Sequence, residues 1–362
     1  MDHKGVLMSG DRAVARIRGG EIEPLDMERL PLYLQRGGDF EVWLDSRAID
    51  RHRTNSRILK KVLRLHDSSD TAAVLRAHGA TITDNYWFMQ EVEDLSWDRV
   101  RFSEDTFSDV ALTGSFDSYS RQYTEDQLRA GSPELTNIGS FEKCWKLENG
   151  RWWMTKAGTV EERFSEIFIA RLGKALGFAM AEYYPQGEYV KTPDFTDGKY
   201  NYEPAWALVG DNEDYSFNYD KFAALDPSLA GQYMDILYMD ALCFNMDRHT
   251  MNYGILRDAE SGKVVSMAPN FDNNIALISR GYPKDPNRTN GMLIEMFEEL
   301  LRDKEICYTA PSLSYEMVRD LSQSTLPDDN VDRDNVVQMI LERGQRLEMA
   351  ADFELACGRT HV

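Results

Sequence analysis

The chain has 362 residues, of which 42% are hydrophobic, 11% aromatic and 28% charged, and this length is sufficient for two or three domains with sizeable cores. Its 41 Lys and Arg residues against 61 Asp and Glu residues give a net charge of −20, which disfavours a general nucleic-acid coat protein. No apolar run approaches the roughly 18 to 20 residues that span a bilayer, and the first residues lack the apolar stretch of a secretory signal. We therefore expect a cytoplasmic location.

The cysteines are scattered along the chain without CxxC spacing, so neither a zinc knuckle nor a disulfide framework is indicated. We expect four free thiols, at Cys144, Cys243, Cys307 and Cys357.

A basic segment near the amino terminus, residues 51–66, carries apolar residues at helical spacing. It predicts an amphipathic helix behind a Thr54 cap. A second short helix, residues 71–78, is expected to stop at Gly79. The pair could be a helix-turn-helix that reads DNA. The acidity of the remaining chain favours the alternative, a packed helical hairpin whose cations balance an acidic neighbour.

Polar residues dominate the segment 94–131, which we interpret as a connecting region with little core. It follows that residues 1–125 form an amino-terminal region with a possible role in partner binding. The pair Asn149-Gly150 lies between two aromatic-rich stretches and predicts a hairpin of two antiparallel strands.

The apolar spacing after this hairpin predicts a helix that ends at Gly177, and then strands within 178–184 and 188–195. Beyond residue 215 the spacing becomes mainly helical, interrupted by a second hairpin. We therefore expect an α+β fold with a small β-rich lobe, residues 126–210, and a larger helical lobe, residues 211–362.

Polar residues crowd the end of a helix in this larger lobe. Asp247 and Asn252 have the spacing found in the catalytic loop of protein kinases, where the Asp orients the substrate hydroxyl and the Asn holds magnesium. Farther along, Asp272 could supply a second oxygen ligand to Mg²⁺. Each residue alone is typical of a loop cap, so the specificity lies in their order along the chain.

The smaller lobe offers residues for binding phosphate. A polar turn containing Gly139 and Ser140 precedes the first strand and could present backbone N–H groups to a phosphate. Lys156 closes the second strand and Glu166 lies on the next helix, so the pair could place an ammonium group at the α- and β-phosphates. Lys146 competes for this role, but Lys156 lies next to the helix that carries Glu166.

The run DRHTMN, from Asp247 to Asn252, resembles the DxHxxN catalytic motif of HipA-like serine/threonine kinases. Asp272 falls where that family has its metal-binding Asp. The turn before the hairpin is similar to the family's phosphate-binding loop, whose glycine, here Gly139, is followed within four residues by a Lys, here Lys143. The resemblance extends over about residues 130–350.

This resemblance implies a two-lobed protein-kinase-like fold that uses ATP and Mg²⁺ to phosphorylate a protein hydroxyl. By the same match, Asp247 would be the catalytic base and His249 an organiser of the active site. Asn252 and Asp272 would be magnesium ligands, and Lys156 would be the ATP lysine.

Regulation is also implied by the resemblance. HipA-like toxins can be switched off by phosphorylation of a serine just before the loop glycine, and Thr136 is the nearest residue here, so autophosphorylation would fall there. Many relatives act beside a small DNA-binding antitoxin. The polar segment 279–291, with Arg280 and Arg288, follows the metal-binding Asp as an activation or substrate loop would; a plain surface loop is the alternative.

Two other functions remain open. A small-molecule or lipid kinase could share the same fold, although the −20 charge weakens attraction to anionic membranes. A non-catalytic regulator could instead bind ATP, and a DNA or protein partner through its amino-terminal region.

Overall fold

A computed structural model describes residues 3–49, 53, 56–62, 70–114, 131–139, 141–279 and 291–357. The residues Thr54, Ser140, Arg280 and Arg288 lie outside this part of the chain. The described residues form the strands β1 (Lys4–Ser9), β2 (Arg12–Arg18), β3 (Glu21–Pro24), β4 (Tyr86–Gln90), β5 (Lys143–Glu148), β6 (Arg151–Ala157), β7 (Tyr184–Gln186), β8 (Tyr189–Pro193), β9 (Tyr200–Pro204), β10 (Gly254–Asp258) and β11 (Val264–Met267).

The helices in the same part of the chain are α1 (Leu32–Gln35), α2 (Phe40–Asp45), α3 (Ser56–Val62), α4 (Asp70–Arg76), α5 (Trp97–Val100), α6 (Ser108–Thr113), α7 (Val160–Ala175), α8 (Trp206–Val209), α9 (Tyr215–Leu225), α10 (Pro227–Cys243), α11 (Met292–Asp303), α12 (Tyr315–Ser324) and α13 (Arg333–Cys357). A 3-10 turn, Pro133–Thr136, precedes β5. This mixture of helices and sheets confirms the predicted α+β class.

The strands form three sheets, with the orders β3-β2-β1-β4, β5-β6-β8-β7 and β11-β10-β9. The chain divides into two compact units. Unit 1 contains residues 1–157, 191–203 and 255–265, and unit 2 contains residues 158–190, 204–254 and 266–362. The division at residues 125 and 210 stays a prediction.

Unit 1 begins with a four-stranded sheet that the sequence patterns did not predict. In this sheet β1 pairs antiparallel with β2 and with β4, and its inner face buries Leu7, Ile17 and Phe88 against Phe40 of α2. A Cβ at Gly5 would collide with the carbonyl oxygen of Met89, so glycine allows the close pairing of β1 with β4. The region thus has a hydrophobic core of its own.

The basic segment contributes a buried cation to unit 1. Helices α3 and α4 confirm the predicted helix pair. Arg53 is 1% exposed and donates to the carbonyl oxygens of Ala111, at 2.8 Å, and Lys143. This contact favours a packed hairpin over a helix that presents all its cations to DNA.

The prediction that residues 94–131 have little core is wrong for α6. Val110, Ala111 and Leu112 of this helix are buried, and α6 packs against β5. The polar composition concealed them because one short apolar run is enough to bury a helix of this length.

Unit 2 positions its candidate functional loops with two long helices. The capping box formed by Thr159 and Glu162 begins α7, which buries Phe164 and Phe168. Helix α10 is buried along most of its length and is capped by Phe244, whose φ of +53° ends the helix. The loop that carries Asp247 therefore starts from a fixed helix end.

No helix within the described residues is long and apolar enough to cross a membrane. Cys144 and Cys243 are buried free thiols and Cys307 is an exposed one, which confirms the prediction at these positions; the side chain of Cys357 lies outside the description. Burial raises the pKa of both buried thiols, so they remain protonated core residues at neutral pH.

Candidate functional site

The loop after α10 is a compact series of turns. Asp247 donates its N–H to Asn245 Oδ1 at 3.1 Å, and its carbonyl oxygen accepts the N–H of His249 at 2.9 Å. The His249 carbonyl then accepts the N–H of Asn252 at 2.8 Å. The imidazole is also held, because its Nδ1 accepts the N–H of Met251 at 3.3 Å. Asp247 is half-buried and His249 is exposed.

Asn252 folds back over the same loop. Its Nδ2 donates to the carbonyl oxygen of Asp247 at 3.1 Å, and the residue is buried. With the amide nitrogen used in this way, Oδ1 is the group that could accept a ligand. The two residues predicted to act together are thus joined directly.

Arg248 connects this loop to the preceding helix and to the loop that carries Asp272. Its Nε and one NH2 group form a bidentate ion pair with Asp240 of α10, both at 2.9 Å. The other terminal nitrogen donates to the carbonyl oxygens of Asn252 and Phe271, each at 2.7 Å. Burial disfavours the charged guanidinium, but the Asp240 carboxylate raises the pKa of Arg248 above its usual value. Arg248 therefore remains a buried cation.

Asparagine side chains complete the connection. Arg248 donates to Oδ1 of Asn270 at 2.9 Å and of Asn273 at 2.8 Å. Asn273 donates to Asn270 Oδ1, and Asn245 donates to Asn273 Oδ1, both at 3.1 Å. These neutral partners satisfy the buried guanidinium without adding competing charge.

Glu166 of α7 reaches the same loop. Its Oε2 accepts the N–H of Asn273 at 3.1 Å, and the side chain is fully buried. Unit 2 thus brings Asp247, Asn252, Glu166 and the backbone beside Asp272 into one hydrogen-bonded arrangement. The predicted pairing of Glu166 with Lys156 would join the two units and stays a prediction.

The candidate phosphate turn lies in unit 1 and is held by hydrogen bonds to Glu134. This buried carboxyl accepts from Asn137 Nδ2 at 2.9 Å and from the N–H of Trp145 on β5 at 2.7 Å. Burial raises the pKa of Glu134 to about 7, against the lowering effect of Arg53 and of these donors. The carboxyl therefore ties the turn to the strand.

Gly139 occupies a backbone conformation that requires glycine. Its φ is +113°, and a Cβ at this position would collide with Lys143 Nζ. The lysine ammonium consequently lies directly against the turn, next to backbone that a phosphate could approach.

The strand register places the two candidate ATP lysines, Lys146 and Lys156, on opposite faces of the hairpin. Lys143 and Lys156 are direct partners in the antiparallel ladder of β5 and β6, so both side chains lie on one face. Lys146 falls on the opposite face, and its Nζ lies 3.6 Å from Asp109. This arrangement favours Lys156 over Lys146 as the lysine that acts beside Lys143. Lys156 is buried.

Thr136 is a buried residue of the 3-10 turn. Its hydroxyl donates to the carbonyl oxygen of Ala80 at 2.7 Å. A phosphoryl group could reach this oxygen only after the turn moved. Autophosphorylation at Thr136 stays a prediction, and it would require this hydrogen bond to break.

The metal prediction can be tested against the donor groups present. Among the described residues, no three or more His, Cys, Asp or Glu side chains gather as a metal site. Asn252 and Asp272 would provide one amide oxygen and one carboxylate on loops that Arg248 joins. This set suits Mg²⁺ bound together with phosphate oxygens, and not a cage made of protein ligands alone.

The sequence patterns assign no role to Arg248 or Asp240. Arg248 lies inside the DRHTMN motif, and an Asn-rich run surrounds Asp272. The signal is limited here to one cation that lies in a polar segment of the sequence.

No protein-family model matches the chain, and no curated protein matches it. Among solved structures, it is similar to HipA of Shewanella oneidensis MR-1, in a complex of the toxin–antitoxin system with HipB and operator DNA, at 12% identity over 97% of each chain with a TM-score of 0.56. The Helicobacter pylori proinflammatory kinase CtkA is 19% identical over 60% of this chain and 95% of its own, with a TM-score of 0.46.

The likeness to HipA extends over nearly the whole chain. The protein therefore has a HipA-like kinase fold, which confirms the expected α+β, kinase-like architecture.

Proposed function

We propose that this chain is an ATP- and Mg²⁺-dependent phosphotransferase that transfers the γ-phosphate to a serine or threonine hydroxyl of a protein. The observation that carries the proposal is the Arg248 connection, in which one guanidinium holds the backbone of Asn252 and of Phe271, the neighbour of Asp272. A fold shared with HipA supports the same reaction class.

Each residue has a defined task in the proposed reaction. Asp247 would accept a hydrogen bond from the attacking hydroxyl and take up its proton. Asn252 and Asp272 would hold Mg²⁺, which when bound neutralises charge on the β- and γ-phosphates. Gly139 and Lys143 would contact the phosphates.

Lys156 would also contact the phosphates, since it shares a strand face with Lys143. Two cationic side chains on one face attract an anion. The lysine pair thus supports binding of a polyphosphate. His249 would organise the loop through its contact with the Met251 N–H.

The experiment is transfer of labelled γ-phosphate from Mg-ATP to the protein itself and to proteins of a cytoplasmic extract. Asp247→Asn should keep the fold and nucleotide binding but lose at least about a hundredfold in rate, as expected for removal of a general base. Exposed Asp211 offers the matched control, because Asp211→Asn makes the same chemical change at a residue outside the loop.

The outcomes separate the candidate acceptors. Label on protein in the wild type and in Asp211→Asn, but not in Asp247→Asn, supports the protein kinase. Label found only on small molecules or lipids would refute the protein acceptor, and equal transfer by all three proteins would refute the role of Asp247.

We also propose a cytoplasmic protein partner of the antitoxin type, because the HipA structure is a complex with HipB and operator DNA and the likeness includes unit 1. Direct DNA binding by residues 51–66 has less support, since Arg53 is used internally. Salt-sensitive DNA binding that is lost in Lys60→Ala/Lys61→Ala would restore the DNA alternative; no binding at low salt would exclude it.

A further inference from the structure

Asp272 is held in an unusual backbone conformation. Its φ is +61°, in the left-handed region that is unfavourable for a residue with a side chain. Such a conformation persists only where surrounding contacts enforce it. The contacts on this peptide therefore identify residues that determine where the carboxylate is placed.

Three backbone groups of the two peptides that flank Asp272 are each bound by a side chain. The Phe271 carbonyl accepts from Arg248 at 2.7 Å, and the Asn273 N–H donates to Glu166 at 3.1 Å. The N–H of Asp272 itself donates to the hydroxyl oxygen of Tyr183 at 3.1 Å. Tyr183 thus holds the peptide group nearest to the carboxylate.

Tyr183 is itself firmly placed. The backbone just before it pairs with the loop that carries Asp272, since Ala181 donates to the Asn270 carbonyl at 3.0 Å and Asn270 donates to the Ala179 carbonyl at 2.9 Å. The Tyr183 ring is 5% exposed and belongs to a core cluster against which Phe271 packs. A hydroxyl on so constrained a ring has a fixed position.

The geometry points to Tyr183 as a positioning residue: by accepting the Asp272 N–H, its hydroxyl holds Asp272 in the left-handed conformation from which the carboxylate binds a divalent cation. This inference rests on the proposed function, because the cation is the one required for phosphoryl transfer. It assigns to Tyr183 a role through Asp272 and no contact with the substrate.

The neighbouring tyrosine provides a matched control. Tyr183→Phe removes one hydroxyl and keeps the buried ring. Tyr184→Phe removes the same atom from a half-exposed ring whose hydroxyl donates to Glu182 at 2.7 Å. Both variants should fold, since neither deletes apolar volume.

Two measurements test the inference. The first is hydrogen exchange of the amides around Asp272 in the free protein, where Tyr183→Phe should accelerate exchange by about tenfold and Tyr184→Phe should leave it unchanged. The second is Mn²⁺ binding, followed by electron paramagnetic resonance with a non-hydrolysable ATP analogue. The Kd for Mn²⁺ should rise about tenfold in Tyr183→Phe, as for loss of other groups that orient metal ligands.

The kinetic signature follows from the same argument. Tyr183→Phe should need more Mg²⁺ for half-maximal transfer, and saturating Mg²⁺ should restore most of the rate, which a general loss of structure would not allow. If the two variants are alike in exchange and in Mn²⁺ binding while the wild type binds Mn²⁺, the inference is wrong and the proposed function survives. If the wild type binds no Mn²⁺, both are refuted.

Discussion

The buried carboxyl of Glu134 makes stability depend on pH in a direction opposite to that of most acidic groups. Burial raises its pKa from 4.5 to about 7, so the folded protein holds the proton more tightly than the unfolded chain. The free energy of unfolding should therefore fall as the pH rises from about 4.5 to about 7. The full effect of this shift is about 3 kcal/mol.

Two opposing influences decide this outcome. The Arg53 guanidinium lies 4.0 Å from the Glu134 carboxylate, and both side chains are inaccessible to solvent. That distance is too long for a hydrogen bond, while the direct donors are the neutral N–H groups of Asn137 and Trp145. Loss of hydration consequently outweighs attraction to the cation.

The measurement compares urea unfolding of the wild type and Glu134→Gln between pH 5.5 and pH 8. The lower limit stays above the sequence pI of about 4.8 and so preserves a negative net charge. Over this range the wild type should lose about 2 kcal/mol relative to the variant, from the two pKa values. Glu91→Gln, at an exposed position, should follow the wild type.

A difference between wild type and Glu134→Gln that is constant with pH would refute the raised pKa. A difference that increasingly favours the wild type at pH 8 would mean that Arg53 keeps the carboxylate ionised in the folded state.

Further outcomes are expected at the two candidate sites. Arg248→Ala should lower the free energy of unfolding by about 3 to 5 kcal/mol in urea titrations, because it leaves Asp240 buried without its cation; a loss below about 1 kcal/mol would contradict a buried ion pair. Gly139→Ala should raise the KM for ATP about tenfold or more, measured by initial rates, because a φ of +113° disfavours a residue with a Cβ and that Cβ would displace Lys143 Nζ. Lys156→Met should abolish detectable ATP binding in calorimetry while Lys146→Met retains it, and the reverse result would exchange their roles.

Local signals were sufficient for the hairpin and the helices. Asn149 and Gly150 both have positive φ, as the hairpin turn requires, and β5 and β6 flank them as predicted. Helix α7 ends just before Gly177, whose φ of +90° fits the expected cap. Such features depend on a few adjacent residues, so the sequence contains the information directly.

The sheet of β1 to β4 and the Arg248 connection depend on residues far apart in the chain. Arg248 and Phe271 are separated by 23 positions, and no periodicity within either loop reports the contact. The hydroxyl of Tyr183 meets Asp272 at a separation of 89 positions. Pairings of this kind require the tertiary fold, so the sequence predicts the motif residues and not the residues that support them.

The discontinuous course of unit 1 has a consequence for synthesis of the protein. Its third segment, residues 255–265, brings Arg257, which donates to the Leu30 carbonyl at 2.9 Å and pairs with buried Glu203. A nascent chain lacks this arginine until the first two of the three segments of unit 2 have been translated, although domains generally fold as they emerge. Glu203 and the backbone near Leu30 must wait for it, so completion of unit 1 is coupled to synthesis of the loop that contains Asp247.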